Sequence, residues 1–307
     1  MLVAPATKTG AVRLPGGRAL AWASWGPDDG APVVLCPGAA TGRSLGLGPA
    51  DLAGLRARVI SFDRPGLGAS DPAPGRTLAS WAHDVAAASA ALGLGRPAVL
   101  GFSQGAPFAL ACAAAGIASA CAFVSGTDEL AHPEVRARLA PGVRGFVEAI
   151  ERDRAAAEAF LAGMDAARLR ALVLEGSSPG DRAVYAAPDF AREFERALDE
   201  GFAQGPAGYV TDTVLASSPW PFDPGAIRVP VQLWYGGRDA SPVHAPDGGA
   251  HLAARIPGAT RHFLPEAGGA LPWTHAGELL AALAPHARSP RAPASIGATP
   301  SPPARSA

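Results

Sequence analysis

Short apolar runs alternate with stretches of helical spacing along the first 127 residues of the chain. Residues 11–25 predict a β-hairpin, because two short strand patterns flank a Pro-Gly-Gly turn. Apolar runs predict buried strands at residues 32–36, 59–62, 98–101 and 120–124. The spacing between them predicts helices at residues 51–58, 77–92 and 104–115. Strands that alternate with helices in this way are typical of a parallel sheet.

Residues 128–217 follow a different pattern, in which helical segments such as 145–162 and 189–202 carry many of the Arg and Glu residues. We interpret this block as a helical cap. Further along the chain, strand and helix patterns return at residues 231–235, 248–255, 260–264 and 273–283.

The return of the strand pattern predicts one core, built from residues 1–127 and 218–288, with the cap of residues 128–217 inserted between its halves. Residues 289–307 are mostly Pro, Ala and Ser with isolated Arg, and they contain too few apolar side chains to pack. We expect this last segment to be a disordered tail.

The overall charge gives little indication of a charged partner. The 307 residues include 26 Lys and Arg against 27 Asp and Glu, with a formal charge of -1 and 48% hydrophobic content. Such a chain can bury a large core, and it lacks the basic excess of a nucleic-acid-binding protein. We therefore expect a small-molecule ligand and no nucleic-acid partner; the oligomeric state stays open.

Several features favour a cytoplasmic protein of bacterial origin. Residues 97–127 are uncharged, but Gly and Pro interrupt them, so buried strands around a helix explain them better than a membrane span. Residues 1–10 lack the pattern of a signal peptide, and the three cysteines form no paired framework. Lys8 is the only lysine and Asn is absent, a bias typical of a GC-rich genome.

Candidate chemistry begins at the segment Gly-Phe-Ser-Gln-Gly, residues 101–105, which lies between a predicted buried strand and a predicted helix. In this context a G-x-S-x-G segment forms a strained turn that presents its serine as a nucleophile. Ser103 is therefore the candidate nucleophile. The backbone amide of Gln104 begins the following helix and is a candidate donor to a developing oxyanion.

On these residues the chain resembles the α/β-hydrolase superfamily, in an esterase-like branch with a helical cap. The resemblance implies a mostly parallel α/β sheet with helices on both faces. Residues 37–42 stand where relatives supply a second oxyanion amide, which implies that role for the backbone of Ala39. The segment Asp-Arg-Pro-Gly-Leu-Gly-Ala-Ser-Asp, residues 63–71, matches a loop that serves relatives as a structural turn.

The same resemblance suggests a triad acid. Asp239 ends the segment Trp-Tyr-Gly-Gly-Arg-Asp after a predicted strand, where the family places its carboxylate. Asp128, which follows an earlier strand, is the alternative acid, because some relatives use that place. Either carboxylate would have to orient a histidine.

The expected histidine is missing from its usual place. Relatives carry Gly-His shortly after the last strand, whereas the matching stretch here is Glu-Ala-Gly-Gly-Ala, which puts Gly269 at the histidine position. His275 is the nearest downstream replacement. His244 and His251 suggest a metal pair, but no third ligand has a recognisable spacing, so we interpret them as solvent-facing. The sequence predicts no metal and no cofactor.

Two hypotheses follow. The first is an enzyme that acts on a small apolar ester, thioester or lactone through Ser103 and an oxyanion hole, with an incomplete or non-standard triad. The second is a protein that keeps the fold and pocket without hydrolysis, either a biosynthetic catalyst or a ligand-binding pseudoenzyme. Gly269 favours the second, because loss of the triad histidine costs on the order of a million-fold in turnover.

Overall fold

The computed structural model describes residues 3–287, so the predicted tail at 289–307 lies outside the described residues. Within this part of the chain, eight strands form a single sheet in the order β1-β2-β4-β3-β5-β6-β7-β8. Their bounds are β1 Lys8–Arg13, β2 Ala19–Trp25, β3 Ala31–Cys36, β4 Ala57–Phe62, β5 Ala98–Phe102, β6 Cys121–Val124, β7 Val231–Gly236 and β8 Thr260–Leu264. Strand β2 pairs antiparallel with β1 and β4, and all other pairs are parallel.

Helices cover both faces of this sheet, as the resemblance implied. The bounds are α1 Leu78–Ala91, α2 Ala106–Ala114, α3 Pro133–Arg136, α4 Pro141–Arg152, α5 Arg154–Leu161, α6 Ala166–Glu175, α7 Pro179–Ala186, α8 Pro188–Gly201, α9 Ala207–Ser217, α10 Ala250–Arg255, α11 Leu271–Thr274 and α12 Ala276–Leu283. Helices α3 to α9 all lie between β6 and β7, and we refer to them as the cap helices.

The central strands are apolar on both sides because both faces are covered. In β3, Val33 and Leu35 join the core cluster shared with α12 and the cap helices, while Val34 and Cys36 join the cluster shared with α1 and α2. This alternation is the two-residue period of a strand buried between two layers. Polar side chains next to these strands therefore lie in the loops at the sheet edge.

The predicted helix at residues 51–58 is wrong. The segment forms a turn in which the Asp51 carboxylate accepts the Gly54 amide at 2.8 Å, and Arg56 has a left-handed φ of +48°. Strand β4 then begins at Ala57. A side chain that bonds its own backbone competes with helix formation, which the apolar spacing alone does not register.

Two predicted helices are each divided in the structure. The helix expected at 145–162 breaks at Asp153, which has an extended backbone and whose carboxylate accepts the Ala156 amide at 3.0 Å, so α5 begins with a new N-cap. The helix expected at 273–283 breaks at His275, where φ is −131°. Both breaks change the direction of the side chains that follow.

The three cysteines, Cys36, Cys112 and Cys121, are free and buried. Burial raises the pKa of the Cys36 thiol to about 12, so this group stays protonated near neutral pH. Among the described residues, no helix has the length and hydropathy of a membrane span.

Candidate active site

Ser103 lies at a sharp turn between β5 and α2 and has a left-handed φ of +50°. The two flanking glycines permit this turn. A Cβ at Gly101 would come 2.5 Å from Cα of Ala106, and one at Gly105 would collide with the carbonyl oxygens of Cys36 and Pro37. A strained turn that only small neighbours allow is the geometry that raises a serine hydroxyl above a sheet edge.

An imidazole lies beside this hydroxyl, and it belongs to His244. Its Nε2 atom is 2.9 Å from Oγ of Ser103. His244 lies in the loop between β7 and α10, and its side chain is only 10% exposed. The interpretation of His244 and His251 as solvent-facing is therefore wrong, since the His251 side chain is also only 11% exposed.

Asp239 lies in the same loop and holds the other ring nitrogen of His244. Its Oδ2 atom is 2.7 Å from Nδ1, and its Oδ1 atom accepts the Ser241 amide at 3.0 Å. Burial alone would raise the pKa of the Asp239 carboxyl, but the charge and hydrogen bond of His244, with the Ser241 amide, lower it below the ordinary value. The carboxylate is therefore stabilised in its ionised form.

The three side chains form a continuous hydrogen-bonded line. With its proton on Nδ1, the neutral ring of His244 donates to Asp239 and presents the lone pair of Nε2 to the hydroxyl of Ser103. A base in that position can take the hydroxyl proton as the oxygen attacks a carbonyl. The carboxylate then stabilises the imidazolium that forms.

Two backbone amides border the same cavity. Gln104 follows Ser103 directly, and Ala39 lies in the loop after β3; both residues line the cavity. Neither amide donates to an acceptor within residues 3–287. Unpaired amides that face a cavity beside a nucleophile can receive a developing oxyanion.

His275 does not join this group. It lies at the break between α11 and α12, and its Nδ1 atom is 2.8 Å from the hydroxyl of the preceding Thr274. The inward position nearby is taken by Trp273, whose ring packs 5.0 Å from that of Phe102. Trp273, two residues before His275, thus takes the inward position. The structure brings His244, and not His275, to Ser103.

Gly269 lies against the Asp239 carboxylate. A Cβ built at Gly269 would be 2.7 Å from both oxygens of Asp239. On its other side, the amides of Gly269 and Ala270 each donate at 2.9 Å to the buried carboxylate of Asp181 in α7. The Asp239 carboxylate therefore leaves no room for a side chain at position 269.

Asp128 belongs to a separate group. Its side chain is fully buried, its Oδ1 atom accepts the Glu129 amide at 2.6 Å, and its Oδ2 atom is 3.9 Å from Nδ1 of His251. Burial raises the pKa of the Asp128 carboxyl to about 6. Asp128 does not line the cavity at Ser103, which leaves Asp239 as the carboxylate in contact with His244.

A cavity of about 550 Å³ opens above Ser103, between the sheet edge and the cap helices. Its walls are mainly apolar and include Leu45, Phe146, Met164, Tyr185 and Trp273. Among residues 3–287, no Lys or Arg contributes to the lining. The shape and chemistry of this space suit an uncharged apolar ligand.

Exposed apolar side chains surround the mouth of the cavity. Phe160 is 81% exposed, Leu172 is 52% exposed and Val243 is 41% exposed, and all three line the same space. Phe263, the fourth large exposed apolar residue among those described, lies elsewhere under the guanidinium of Arg261. Three of the four are therefore concentrated where a ligand would enter.

Sequence reasoning missed His244, although a signal was present. His244 follows Asp239 by five residues, in the loop after a predicted strand that ends at the same sheet edge as Ser103. Loops that follow parallel strands meet at one edge of the sheet, so a histidine in any of them is a candidate base. The resemblance placed the histidine after the last strand, and the sequence therefore favoured His275 over His244.

Comparison with known proteins places this architecture in a family. A sequence model of the α/β hydrolase fold matches residues 31–276. No curated protein matches the chain in sequence. The chain therefore belongs to the α/β-hydrolase family by its family match, and the fold and the cap agree with that assignment.

Solved structures with the same fold resemble the chain at low sequence identity. A hydrolase from Pseudomonas aeruginosa is 21% identical, with a TM-score of 0.64 over 90% of this chain and 97% of that one. A thermophilic esterase from Thermogutta terrifontis is 20% identical, with a TM-score of 0.63 over 90% and 96%. An enol-lactonase from Burkholderia xenovorans is 20% identical, with a TM-score of 0.61 over 88% and 96%.

Proposed function

We propose that the protein is a serine hydrolase that cleaves a small, uncharged, apolar carboxylic ester, thioester or lactone. The observation that carries the proposal is the pair of contacts at His244, 2.9 Å to Oγ of Ser103 and 2.7 Å to Oδ2 of Asp239. These distances fall in the range required of a nucleophile, a base and an orienting acid.

The reaction proceeds in two stages. Oγ of Ser103 attacks the carbonyl carbon while its proton passes to Nε2 of His244, and the carbonyl oxygen takes up negative charge near the amides of Ala39 and Gln104. Collapse of this intermediate breaks the bond to the alcohol or thiol, which leaves with the proton from His244. Water then attacks the acyl carbon as it gives a proton to His244. The bond from that carbon to Oγ breaks, and His244 returns the proton to Oγ, which releases the acid and regenerates Ser103.

The cavity supports an uncharged acyl group as the bound part of the substrate. Its two lining carboxylates are both engaged, Asp239 with His244 and Asp181 with the amides of Gly269 and Ala270. With no Lys or Arg among the described lining residues, an anionic substrate has no permanent counter-charge there. An aliphatic or aryl acyl chain would instead contact apolar walls over most of its length.

The non-hydrolytic alternative was favoured by a missing base. His244 removes that argument, because it supplies an imidazole within hydrogen-bond distance of the nucleophile. The cost of losing a triad histidine, on the order of a million-fold, therefore no longer counts against hydrolysis.

The test is labelling and turnover at Ser103. We expect a fluorophosphonate probe to label the protein and p-nitrophenyl esters of short and medium chain length to be hydrolysed, with both activities abolished in Ser103→Ala. Ser177→Ala is the matched control. Ser177 also lines the cavity, but it lies just after α6, and its hydroxyl donates at 2.6 Å to the Val173 carbonyl of that helix. Absence of labelling and turnover in the wild type would contradict the proposal.

A further inference from the structure

The most deeply buried cation among residues 3–287 contacts the candidate oxyanion loop, residues 37–42. Arg64, in the loop after β4, is fully buried, and its guanidinium lies 4.9 Å above the ring of Phe108 in α2. A buried guanidinium is costly unless every part of it is paired. Its partners therefore indicate what it does.

Two of those partners are carbonyls of the oxyanion loop. Nη1 of Arg64 donates to the Pro37 carbonyl at 2.7 Å, and Nη2 donates to the Gly38 carbonyl at 2.9 Å. The Thr41 amide also approaches the Gly38 carbonyl, but at 3.4 Å. The guanidinium thus provides the shorter hydrogen bond to the Gly38 oxygen.

The Gly38 carbonyl and the Ala39 amide belong to one peptide unit. That unit is planar and trans, so its C=O and N–H bonds point in opposite directions. The structure contains no cis peptide among the described residues. A donor that fixes the Gly38 oxygen toward Arg64 therefore turns the Ala39 N–H away from Arg64, and Ala39 is one of the residues that line the cavity.

The third partner connects this arrangement to the cap. Nε of Arg64 donates at 2.6 Å to Oδ2 of Asp212, a fully buried residue of α9. Asp212 also binds the guanidinium of Arg76 through Oδ1, and Arg76 donates at 3.0 Å to the Gly208 carbonyl. Arg76 has no contact with the oxyanion loop, whereas Arg64 connects that loop to a cap helix.

We propose that Arg64 is a positioning residue that fixes the Ala39 amide toward the reacting oxygen, and that Asp212 of the cap holds Arg64 in place. The inference rests on the proposed hydrolytic function. It gives the Arg of the Asp-Arg-Pro-Gly segment a part in catalysis through another group, beyond the structural turn that the resemblance implied. Arg64 itself does not touch the substrate.

The chain offers a matched pair of variants. Arg64→Met and Arg76→Met each remove one buried cation from Asp212, but only the first removes the donors to Pro37 and Gly38. Loss of one oxyanion donor costs about 100-fold to 1000-fold in kcat. We expect Arg64→Met to lower kcat on a short p-nitrophenyl ester by about 100-fold with little change in KM, and Arg76→Met to stay within about threefold, since it leaves the loop intact.

A second readout separates positioning from general damage. An alkyl boronic acid forms a tetrahedral adduct with Ser103 and places an oxygen at the oxyanion amides, whereas a neutral alkyl amide fills only the cavity. We expect Arg64→Met to weaken boronic acid binding by about 100-fold, in line with one lost donor, and to leave amide binding unchanged. Equal weakening of both ligands, or equal effects in Arg76→Met, would overturn the proposal.

Two further measurements keep the inference testable. If Arg64→Met does not fold, Arg64→Lys is the alternative variant, because it keeps the positive charge beside Asp212. A single ammonium group cannot reach all three acceptors of the planar guanidinium, so we expect an intermediate loss in kcat. A crystal structure of either variant with the Gly38–Ala39 peptide unmoved would refute the inference even if the wild type hydrolyses nothing. Failure of the proposed function is instead seen in the wild type, as absent turnover.

Discussion

The loops after β7 and β8 leave neighbouring parallel strands at the same edge of the sheet, yet they contribute different things to the site. The first carries both Asp239 and His244, and the second carries no titratable side chain at Ser103. Backbone hydrogen bonds join them, from Gly237 to the Leu264 carbonyl at 2.8 Å and from Arg238 to the Ala267 carbonyl at 2.9 Å. The comparison teaches that the chemistry requires an imidazole at a point in space, which more than one loop can supply.

The loop after β8 contributes through a position without a side chain, Gly269. Gly269 presents only hydrogen toward Asp239, and its amide is bound by Asp181. A histidine at position 269 and the present Asp239 carboxylate would occupy the same volume. The glycine at position 269 and the histidine at position 244 are therefore compatible parts of one arrangement.

The largest effect is expected from His244. We predict that His244→Ala lowers kcat/KM on a p-nitrophenyl ester by about 10⁴-fold to 10⁶-fold, because Ser103 loses its base. His275→Ala is the matched control and should stay within about twofold, a change too small to indicate transition-state contact. If His275→Ala lost the activity instead, the division of roles between the two loops would be wrong.

A methyl group on the second loop should also be harmful. We predict that Gly269→Ala lowers kcat/KM by about 100-fold, because the added carbon would be 2.7 Å from the Asp239 carboxylate and would displace it from His244. Gly142→Ala is the control, since Gly142 also lines the cavity but has open space around it. Steady-state kinetics measure both, and full activity in Gly269→Ala would contradict the packing described.

The loop after β6 extends the comparison, because its carboxylate is buried beside a histidine without serving Ser103. The pKa of Asp128 is raised to about 6, so the folded protein binds its proton more tightly than the unfolded chain does. The raised pKa therefore costs no stability below about pH 4 and costs most above about pH 6. Since one pKa unit corresponds to about 1.4 kcal/mol and the pKa rises from 3.8 to about 6, we predict that Asp128→Asn raises the free energy of unfolding by about 3 kcal/mol at pH 8.

Urea unfolding at pH 4 and pH 8 measures this effect. The difference between Asp128→Asn and the wild type should disappear at the lower pH, where the native carboxyl is protonated. Asp29→Asn, in the exposed pair with Arg56 at 3.1 Å, should not stabilise the protein at either pH. A stabilisation by Asp128→Asn that is the same at both pH values would contradict the titration of this group.

The smallest effect is expected at the mouth of the cavity, next to the first loop. We predict that Phe160→Ser raises KM about threefold to tenfold for long-chain p-nitrophenyl esters and leaves the acetate ester unchanged, because only a long chain reaches the rim. Phe263→Ser, at an exposed apolar residue outside the cavity, is the control. Equal changes in KM for short and long esters in Phe160→Ser would argue against contact of the chain with the rim.

Local sequence patterns predicted the sheet and the turn at Ser103, because both features depend on residues that are close together in the sequence. Apolar runs bounded by glycine fix the central strands, and the glycines on either side of Ser103 are demanded by the backbone contacts of the turn. The predicted helix at 51–58 failed because the Asp51 side chain bonds the backbone of its own turn.

The choice of histidine was beyond local reasoning. His244 and His275 both follow elements near the sheet edge, and only the break at His275 and the inward packing of Trp273 separate their roles. Such breaks depend on packing between elements that are distant in sequence. The pairing of Arg64 with Asp212, 148 positions apart, could not be predicted for the same reason.

One short stretch of a single loop, residues 239–244, carries both the acid and the base. Acid and base are separated by four residues of one loop, so no residue of β8, an edge strand of the sheet, lies between them in the chain. Fraying of β8 would act on the pair of Asp239 and His244 indirectly, through the Gly237 and Arg238 amides that bond to β8 and to the loop after it.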